Sequence, residues 1–499
     1  MSTGLAHSAL RGHRPAFVGT FVAALFAATV VSASMTLLLS TSTHGLPARA
    51  RAEMSANGIG DMAVVMLIGS IYMSIFVIAS TMGTAVIQQH REFALVRAIG
   101  ARPRQVRRAV VVQAVAAAVP AAAAGFLLGG GLLGRVWFAG LVGHGLVPAE
   151  VSYRFTWWAL PVCLAVAVVT SALAAFLAAL RFSVLRPARA LAEASAGRRR
   201  LGKVRAPLGV LAVAGGGALS VTLAHRSSDD AAQASFLVLL LFCVGTGLLG
   251  PKVVGPAARL VSAPARRFGG SARLAMLNVR SQPRRFSAAV VPLVLVTGFG
   301  LTKIAMHTTA AHYTGSAGSA GEVWLDYFGT GLYAGFAAIA AANTLAMISF
   351  ERRRDIALLR VVGTLPRQVR SMAAWEAGIV AATALVLGAV VALATLAPML
   401  VAAFGSWMPF LPWPTALAIT GGTLALTLLA TGVPVRAALR GRAIRTLAWP
   451  RPDTRRARTG HYGPVSADRL PRTAPCGPLS AGHRANPTPA GRTWRRAGR

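Results

Sequence analysis

Residues 92–107 read Glu-Phe-Ala-Leu-Val-Arg-Ala-Ile-Gly-Ala-Arg-Pro-Arg-Gln-Val-Arg, and residues 355–370 read Asp-Ile-Ala-Leu-Leu-Arg-Val-Val-Gly-Thr-Leu-Pro-Arg-Gln-Val-Arg. The two segments align without a gap at an offset of 263, and nine of their 16 positions are identical. A match of this length indicates an internal duplication. Each copy lies between two long apolar runs. We call the copies the first handle (92–107) and the second handle (355–370), because they would present matched surfaces to a two-fold partner.

Apolar residues dominate the chain and are clustered. The 499 residues are 55% hydrophobic and only 13% charged, with a mean hydropathy of +0.59. A bilayer core is about 30 Å thick, so a spanning helix needs about 20 apolar residues. Ten runs approach this length: 16–40, 62–86, 109–133, 156–180, 207–224, 233–251, 286–305, 327–350, 373–403 and 414–435. Because they lack period-2 alternation, the sequence predicts an all-α, polytopic membrane protein with about ten transmembrane helices.

Basic residues are distributed unevenly between the two sides of the predicted membrane. If the N-terminus is cytoplasmic, 45 of the 51 Lys and Arg residues lie in cytoplasmic segments. The six in outer segments are Arg49, Arg51, Arg135, Arg154, Arg226 and Lys303. This positive-inside bias predicts a multi-pass protein of the plasma membrane with both termini in the cytoplasm. The basic loops would then lie beside anionic lipid, so the net charge of +37 predicts no nucleic-acid partner.

The duplication divides the chain into four regions. Each repeat holds four helices, the first repeat at 11–191 and the second at 273–446. Residues 192–272 form a basic linker with two further helices, and 447–499 form a basic tail that is predicted to be disordered. Because the linker crosses the membrane an even number of times, both repeats have the same orientation. Such parallel repeats are related by an axis along the membrane normal.

The predicted outer connections are short. Residues 41–61 and 306–326 join the first two helices of each repeat, and neither can fold as a domain, since about 40 residues is near the lower limit. The second connection is rich in Gly, Ser and Ala over 312–322 and is expected to be flexible. Lys303 is expected to extend towards the interface. Glu376 is expected either to contact the docking segment or to face interfacial water.

Each handle combines a glycine, a proline and closely spaced arginines. Gly100 permits a backbone conformation that a Cβ disfavours, while Pro103 disfavours helix before it and can begin a new one. This pattern predicts a helix, a glycine-centred turn and a short helix on the membrane surface. Arg104 and Arg107 would share a face of that helix, and Val106 would point towards lipid or protein. The second handle repeats the arrangement with Gly363, Pro366, Arg367 and Arg370.

A simpler interpretation is an amphipathic interfacial helix that only anchors a loop. Membrane topology, however, requires basic residues anywhere in the loop and does not require the same Gly, Pro and Gln twice. The repetition therefore favours a docking surface.

The handles resemble segments of the FtsX-like permeases, the membrane subunits of one class of ATP-binding cassette (ABC) transporters. The resemblance rests on Glu92–Gly100 followed by Gln105-Val106-Arg107, and on Asp355–Gly363 followed by Gln368-Val369-Arg370. It continues in register with Gln113 and Glu376, and with Gly125 and Gly388. It covers both four-helix units. The ten-helix layout is similar to that of larger bacterial members, including bacitracin-resistance-type permeases.

The resemblance implies a mechanism in which a pair of cytoplasmic ABC ATPase subunits docks on the handles and dimerises on ATP. The implied ATPase-coupling residues are Glu92, Arg97, Gly100, Pro103, Arg104, Gln105 and Arg107 in the first handle, and Asp355, Arg360, Gly363, Pro366, Arg367, Gln368 and Arg370 in the second. Glu92 with Arg97, and Asp355 with Arg360, would brace the turns. The implied function is export or extraction of a hydrophobic compound, peptide or lipid. Family members usually carry a large outer domain, which the short connections here do not provide.

Several catalytic motifs are absent from the sequence. No G-x-x-x-x-G-K-[ST] occurs, so ATP is expected to bind a separate subunit, and this chain is predicted to be no enzyme and to bind no cofactor. No spacing suggests a metal site. The pattern G-x-G-x-x-G at 129–134 and 245–250 lies in predicted membrane helices, which does not suit a dinucleotide site. Gly125 and Gly129 instead predict close helix packing.

Two other function classes remain open from the residues. One is a regulatory FtsX-like membrane protein that controls an extracytoplasmic partner, which the short outer connections disfavour. The other is an ion-coupled secondary transporter, which the scarcity of ionisable residues in the spans disfavours.

Overall fold

The computed structural model describes residues 14–41, 48–56, 59–89, 100–184, 205–223, 228–316 and 318–440, and these residues contain no β-strand. The helices are α1 (Arg14–Ser40), α2 (Ala48–Ala56), α3 (Ile59–Gln88), α4 (Pro103–Leu128), α5 (Gly134–Gly143), α6 (Ala159–Val184), α7 (Arg205–Leu223), α8 (Ser228–Val261), α9 (Gly269–Ser281), α10 (Pro283–Thr314), α11 (Ala320–Glu351), α12 (Arg353–Val361), α13 (Pro366–Phe404) and α14 (Trp413–Arg440). The predicted C-terminal tail lies outside the described residues.

Nine helical segments among the described residues are long and apolar enough to cross a membrane. A tenth candidate is formed by two segments taken together, Leu237–Gly250 and Lys252–Arg267, which meet at a bend of 84°. Pro251 stands between the two segments, and a proline has no amide hydrogen to donate within a helix. The predicted all-α, polytopic architecture is therefore confirmed.

The two repeats have the same internal packing. In the first repeat α1 packs on α3 and α4, and α6 packs on the same two helices. In the second repeat α10 packs on α11 and α13, and α14 packs on those two. The linker helices α7 and α8, together with α9, pack on the second repeat. Helix α11 also packs on α1 and α3, so it forms the junction between the repeats.

Glycines allow the first and third helices of each repeat to cross closely. A Cβ added at Gly125 in α4 would lie 2.4 Å from the carbonyl oxygen of Leu25 in α1, and one at Gly129 would lie 2.2 Å from that of Thr29. A Cβ at Gly388 in α13 would lie 2.0 Å from Oγ1 of Thr297 in α10. Small residues are the usual means of close approach between membrane helices.

Replacing Gly125 with alanine should therefore destabilise the protein by about 1–3 kcal/mol, because the new methyl group meets main-chain atoms of α1. The matched control is Gly378→Ala in α13, where nothing lies within 4 Å of an added Cβ. This control should be neutral or stabilise by up to about 1 kcal/mol. The free energy of unfolding of the full-length protein in mixed detergent–SDS micelles measures both. Equal effects of the two substitutions would contradict the crossing geometry.

The glycine-rich stretch after α4 is a π-helical turn, Gly129–Leu133, that continues into α5. The loop after α5 folds back on this turn, where Tyr153 donates its hydroxyl hydrogen to the carbonyl oxygen of Gly130. A Cβ at Gly134 would lie 2.4 Å from that hydroxyl oxygen. Burial raises the pKa of Tyr153 above its ordinary value of 10.0, so the phenol remains a donor at neutral pH. The turn has a packing role and lacks the strand that a dinucleotide site requires.

The second outer connection is much shorter than the sequence predicted. Helix α10 continues to Thr314 and α11 begins at Ala320, so the expected loop 306–326 is mostly helical. Ser319 caps α11, since its Oγ accepts a hydrogen bond of 3.2 Å from the amide of Glu322. The ring of His312 stacks on Phe410 at 4.1 Å between centroids. The helices on both sides therefore extend further than the apolar runs indicated, and the expected flexibility of 312–322 stays a prediction.

The expectation that Lys303 extends to the interface was also wrong. Its Nζ lies 3.0 Å from Oδ1 of Asp326, and Nε2 of His307 lies 2.8 Å from Oδ2 of the same carboxylate. The Lys303 side chain is only 14% exposed. Asp326 belongs to α11, and its carboxylate faces α10 and pairs with both groups. A buried charge is stable only with such partners.

Candidate functional site

The turn before each third helix has the same backbone geometry in both repeats. Gly100 and Gly363 both have φ of +103°, a conformation that L-residues with a Cβ rarely adopt. No atom lies within 4 Å of a Cβ added at either position, so the backbone conformation, and not lack of space, accounts for glycine. Helix α4 then begins at Pro103 and α13 at Pro366. The fixed φ of proline suits the first position of a helix.

The predicted short helix on the membrane surface does not occur. Pro103 begins a helical segment that runs for 41 residues to Gly143, and Pro366 begins one of 39 residues that ends at Phe404. In both handles an apolar run follows the arginines directly, without a residue that would end the helix. The handle arginines therefore occupy the first turns of membrane-length helices. Any displacement of a handle must move the helix to which it belongs.

The handle glutamines cap these helices. Oε1 of Gln105 accepts a hydrogen bond of 3.0 Å from the amide of Arg102, and Oε1 of Gln368 accepts one of 3.0 Å from the amide of Leu365. In each case the side chain reaches back three residues to the position before the proline, like the second half of a capping box. The presence of a glutamine at this position in both handles is therefore explained by its hydrogen bond, which fixes the turn.

The handle arginines face outward, whereas the valine between them faces inward. Arg104, Arg367 and Arg370 are exposed, and the guanidinium carbon of Arg107 lies 5.8 Å from the ring centroid of Phe176. Val106 is buried against α3 and α6. It therefore points towards protein, which was one of the two predicted alternatives, and not towards lipid. The equivalent valine of the second handle is buried against α12 and α14. Each helix start is therefore held by apolar packing and leaves its charges accessible.

Exposed apolar side chains surround the second turn, a feature that the sequence interpretation missed. Val361, Val362 and Leu365 are 61%, 84% and 60% exposed. They flank Gly363 and lie beside the exposed arginines of α13. Apolar groups clustered at a rim of charges are typical of protein-binding surfaces. The feature of the sequence that could have indicated this apolar surface is the Val-Val pair directly before the glycine.

The two handles lie at the same end of the helix bundle. Ala85, near the end of α3, packs with Met347 and Phe350, near the end of α11. Each of these helices leads directly into a handle. The ends of α3 and α11 are therefore neighbours, and we call this side of the protein the handle end.

Glu376 is buried behind the second handle. Its carboxylate forms an ion pair with Arg352 and accepts a hydrogen bond from Nδ2 of Asn278 in α9. Arg352 is the residue between α11 and α12 and precedes the handle by three positions. Both charged side chains line a cavity of about 30 Å³ enclosed by α10, α11, α12, α13 and α14. Of the two expectations for Glu376, exposure to water was wrong, and its polar partners are Arg352, which lies just before the second handle, and Asn278, rather than residues of the docking segment.

The first repeat carries neutral residues at the corresponding positions. Arg352 and Glu376 correspond at the offset of 263 to Gln89 and Gln113. Both glutamines are buried, and Oε1 of Gln113 has no hydrogen-bond partner among the described residues. In the second repeat an ion pair therefore lies just before the handle, whereas the corresponding two positions of the first repeat carry neutral glutamines.

The predicted brace within each handle is only partly described. Glu92 and Arg97 lie outside the described residues. In the second handle, Asp355 is exposed and Nη1 of Arg360 donates to the carbonyl oxygen of Leu439 at 3.4 Å. This contact ties α12 to the end of α14. The pairing of Asp355 with Arg360 stays a prediction.

Comparison with protein families identifies the repeats. The family described as FtsX-like permease C-terminal matches residues 64–187 and, a second time, residues 327–442. Each match contains one handle and the helices on both sides of it. A comparison with curated proteins found no match. The chain belongs to the FtsX-like permease family and carries the family's domain twice.

Membership of this family defines the general role of the chain. FtsX-like permeases are membrane subunits of ABC-type systems, in which a cytoplasmic ATPase is the partner. The chain is thus a multi-pass membrane permease subunit of such a system.

Proposed function

We propose that this permease couples ATP hydrolysis by two cytoplasmic ATPase subunits to the export or extraction of a hydrophobic compound, peptide or lipid. The observation that carries the proposal is the pair of matched turns at one end of the bundle. Each turn presents exposed arginines on a capped helix start, and the second adds exposed apolar side chains. A two-fold ATPase dimer would find one docking surface for each subunit.

The packing within each repeat supports transmission of movement from the handles. Helix α4 crosses α1 at Gly125, and α13 crosses α10 at Gly388, with main-chain or side-chain atoms in direct contact. Interiors packed this closely transmit displacement because they cannot be compressed. When the ATPase subunits approach each other on binding ATP, the two handles would be drawn together. The third helices would then carry this movement to the opposite end of the protein.

The short connections at that opposite end support a substrate held in the membrane. Residues 315–319 join α10 to α11, and residues 41–58, which include the nine-residue helix α2, join α1 to α3. Such segments are too small to form a binding domain. A hydrophobic molecule that enters from the lipid requires no such domain. We infer orientation from the basic residues, with the handle end in the cytoplasm.

The charged cluster around Asp326 bears on the alternative of an ion-coupled carrier. Ionisable groups within membrane spans often mark an ion pathway. Here the carboxylate of Asp326 pairs with both Lys303 and His307. The carboxylate of Glu376 pairs with Arg352 and accepts a hydrogen bond from Asn278. A carboxylate that is already paired within the protein is more suited to holding two helices together than to binding and releasing an ion. The cluster therefore supports the ABC proposal more than the carrier.

Purification of the detergent-solubilised permease from its native membrane tests the proposal. We expect a soluble P-loop ATPase to accompany it at about two copies per permease chain, because one chain carries both handles. Mass spectrometry identifies the subunit and native mass measurement gives the ratio. Transport that persists without any ATPase and collapses with an ionophore would instead establish the carrier.

A further inference from the structure

A groove lies between α13 and α14 at the handle end. Its volume is about 350 Å³, within the range of about 300–1,000 Å³ that is usual for ligand sites. Two short stripes form its walls, one on each helix. The residues of α13 are Arg370, Ala373 and Ala374, and those of α14 are Leu428, Leu429, Thr431, Gly432, Val433, Val435 and Arg436.

Small residues account for the depth of the groove. The α13 wall carries two alanines after Arg370, and in α14 no atom lies within 4 Å of a Cβ added at Gly432. Larger apolar side chains border this space, with Leu429 65% and Val433 62% exposed. Only 11% of the most apolar window of α14 is buried within the protein, so this helix faces the lipid. The groove is therefore open to hydrocarbon along its length.

Positive charge is concentrated at one end of the groove. Arg370 and Arg436 are both exposed, and no acidic side chain of the described residues forms an ion pair with either. Glu376, the acidic residue of α13, is turned away and bound to Arg352. Two arginines without counterions at the mouth of an apolar groove are complementary to an anionic head group with a hydrocarbon chain.

The dimensions of the groove agree with one lipid chain. From Arg436 to Leu428 the helix rises by about 12 Å. The hydrocarbon of one leaflet is about 15 Å deep, half of the bilayer core. A phosphate held at the arginines would thus leave its acyl chain along Val433, Gly432 and Leu429. Basic pockets between helices on the cytoplasmic side are a usual way to bind anionic lipids.

We propose that the groove between α13 and α14 binds one anionic phospholipid of the inner leaflet, with its phosphate on Arg370 and Arg436 and an acyl chain over Gly432. Because Arg370 also belongs to the second handle, the lipid would lie directly beside the ATPase-docking surface. The binding of the lipid itself does not depend on ATPase docking.

Native mass spectrometry of the full-length permease, titrated with phosphatidylglycerol or phosphatidylcholine in detergent, tests the site. We expect a tight phosphatidylglycerol adduct that phosphatidylcholine does not form. Gly432→Leu, which fills the groove, should weaken the adduct about tenfold or more, whereas Gly421→Leu should leave it unchanged. The control glycine also has no atom within 4 Å of an added Cβ and lies on the same helix.

A second variant separates loss of the site from loss of the fold. Arg370→Gln with Arg436→Gln leaves the groove open and should weaken the adduct about 25-fold, since each arginine contributes about fivefold near an anionic group. Thermal unfolding of every variant shows whether it is folded. Equal binding of the two lipids, or unchanged binding in both variants, would overturn the proposal. Gly432→Leu should retain the ATPase, so failure of the lipid site and failure of ATPase docking are distinguishable.

Discussion

Reversal of one arginine in each handle, Arg104→Glu together with Arg367→Glu, should abolish co-purification of the ATPase. Both side chains are exposed on the first turn of a long helix, where a docked subunit would meet them first. A central contact in a protein interface contributes about 2 kcal/mol or more. Loss at both handles should therefore weaken binding by about 10³-fold. The single variants should each retain a measurable part of the binding, because one handle remains.

The matched control reverses two other arginines at the same end. Arg273 lies on α9 and Arg266 just before it, both are exposed, and α9 packs against α13 near Trp375. Arg266→Glu with Arg273→Glu changes the net charge and the basic balance of the loops by the same amount. It should leave the ATPase bound. If the handle variant retains the ATPase at the wild-type ratio while it remains folded and inserted, the docking assignment is wrong.

Replacing Glu376 with glutamine should destabilise the protein by up to about 3–5 kcal/mol, because the largely buried side chain of Arg352, which is 14% exposed, loses its counterion. The exposed carboxylate of Glu150 provides the control, and Glu150→Gln should change the free energy of unfolding by less than about 0.5 kcal/mol. Unfolding in mixed detergent–SDS micelles measures the difference. Because Arg352 lies directly before the helix that leads into the second handle, the permease should also stimulate the ATPase activity of the complex less.

The first repeat supplies a rescue experiment. Arg352→Gln combined with Glu376→Gln gives the second repeat the residues that the first has at Gln89 and Gln113. The loss of one partner is costly because it leaves an uncompensated charge, and replacing both partners removes that charge. The double variant should therefore recover most of the loss caused by Glu376→Gln alone. A double variant as unstable as the single one would mean that Glu376 acts mainly through Asn278 and not through the ion pair.

The duplicated handles and the spans could be predicted because they depend on local properties. Ten apolar runs gave ten candidate spans, counting the bent segment of α8. Gly100 and Gly363 have the positive φ that glycine alone adopts easily, and Pro103 and Pro366 begin helices. The error came after each proline, where a short helix was expected. Neither arginines nor an interface end a helix, so α4 and α13 continue from the handles into the spans.

The partners of the charged residues could not be predicted, because they are distant in the chain. Glu376 binds Asn278, which is 98 residues away, and Lys303 pairs with an aspartate on the next helix. Only the packing of α9, α10, α11 and α13 brings these groups together. A hydropathy scale scores each ionisable residue separately, and therefore predicts that its side chain will be exposed to water.

The sequence by itself determined that this is an α-helical membrane protein with two matched repeats, since hydrophobic length, glycine and proline act within a few residues. Tertiary structure alone decided that Glu376 pairs with Arg352 just before the second handle, and that α13 and α14 leave a groove with two arginines at its mouth. The physical reason is that a buried charge takes its partner, and a groove its shape, from helices that the chain brings together only when it folds.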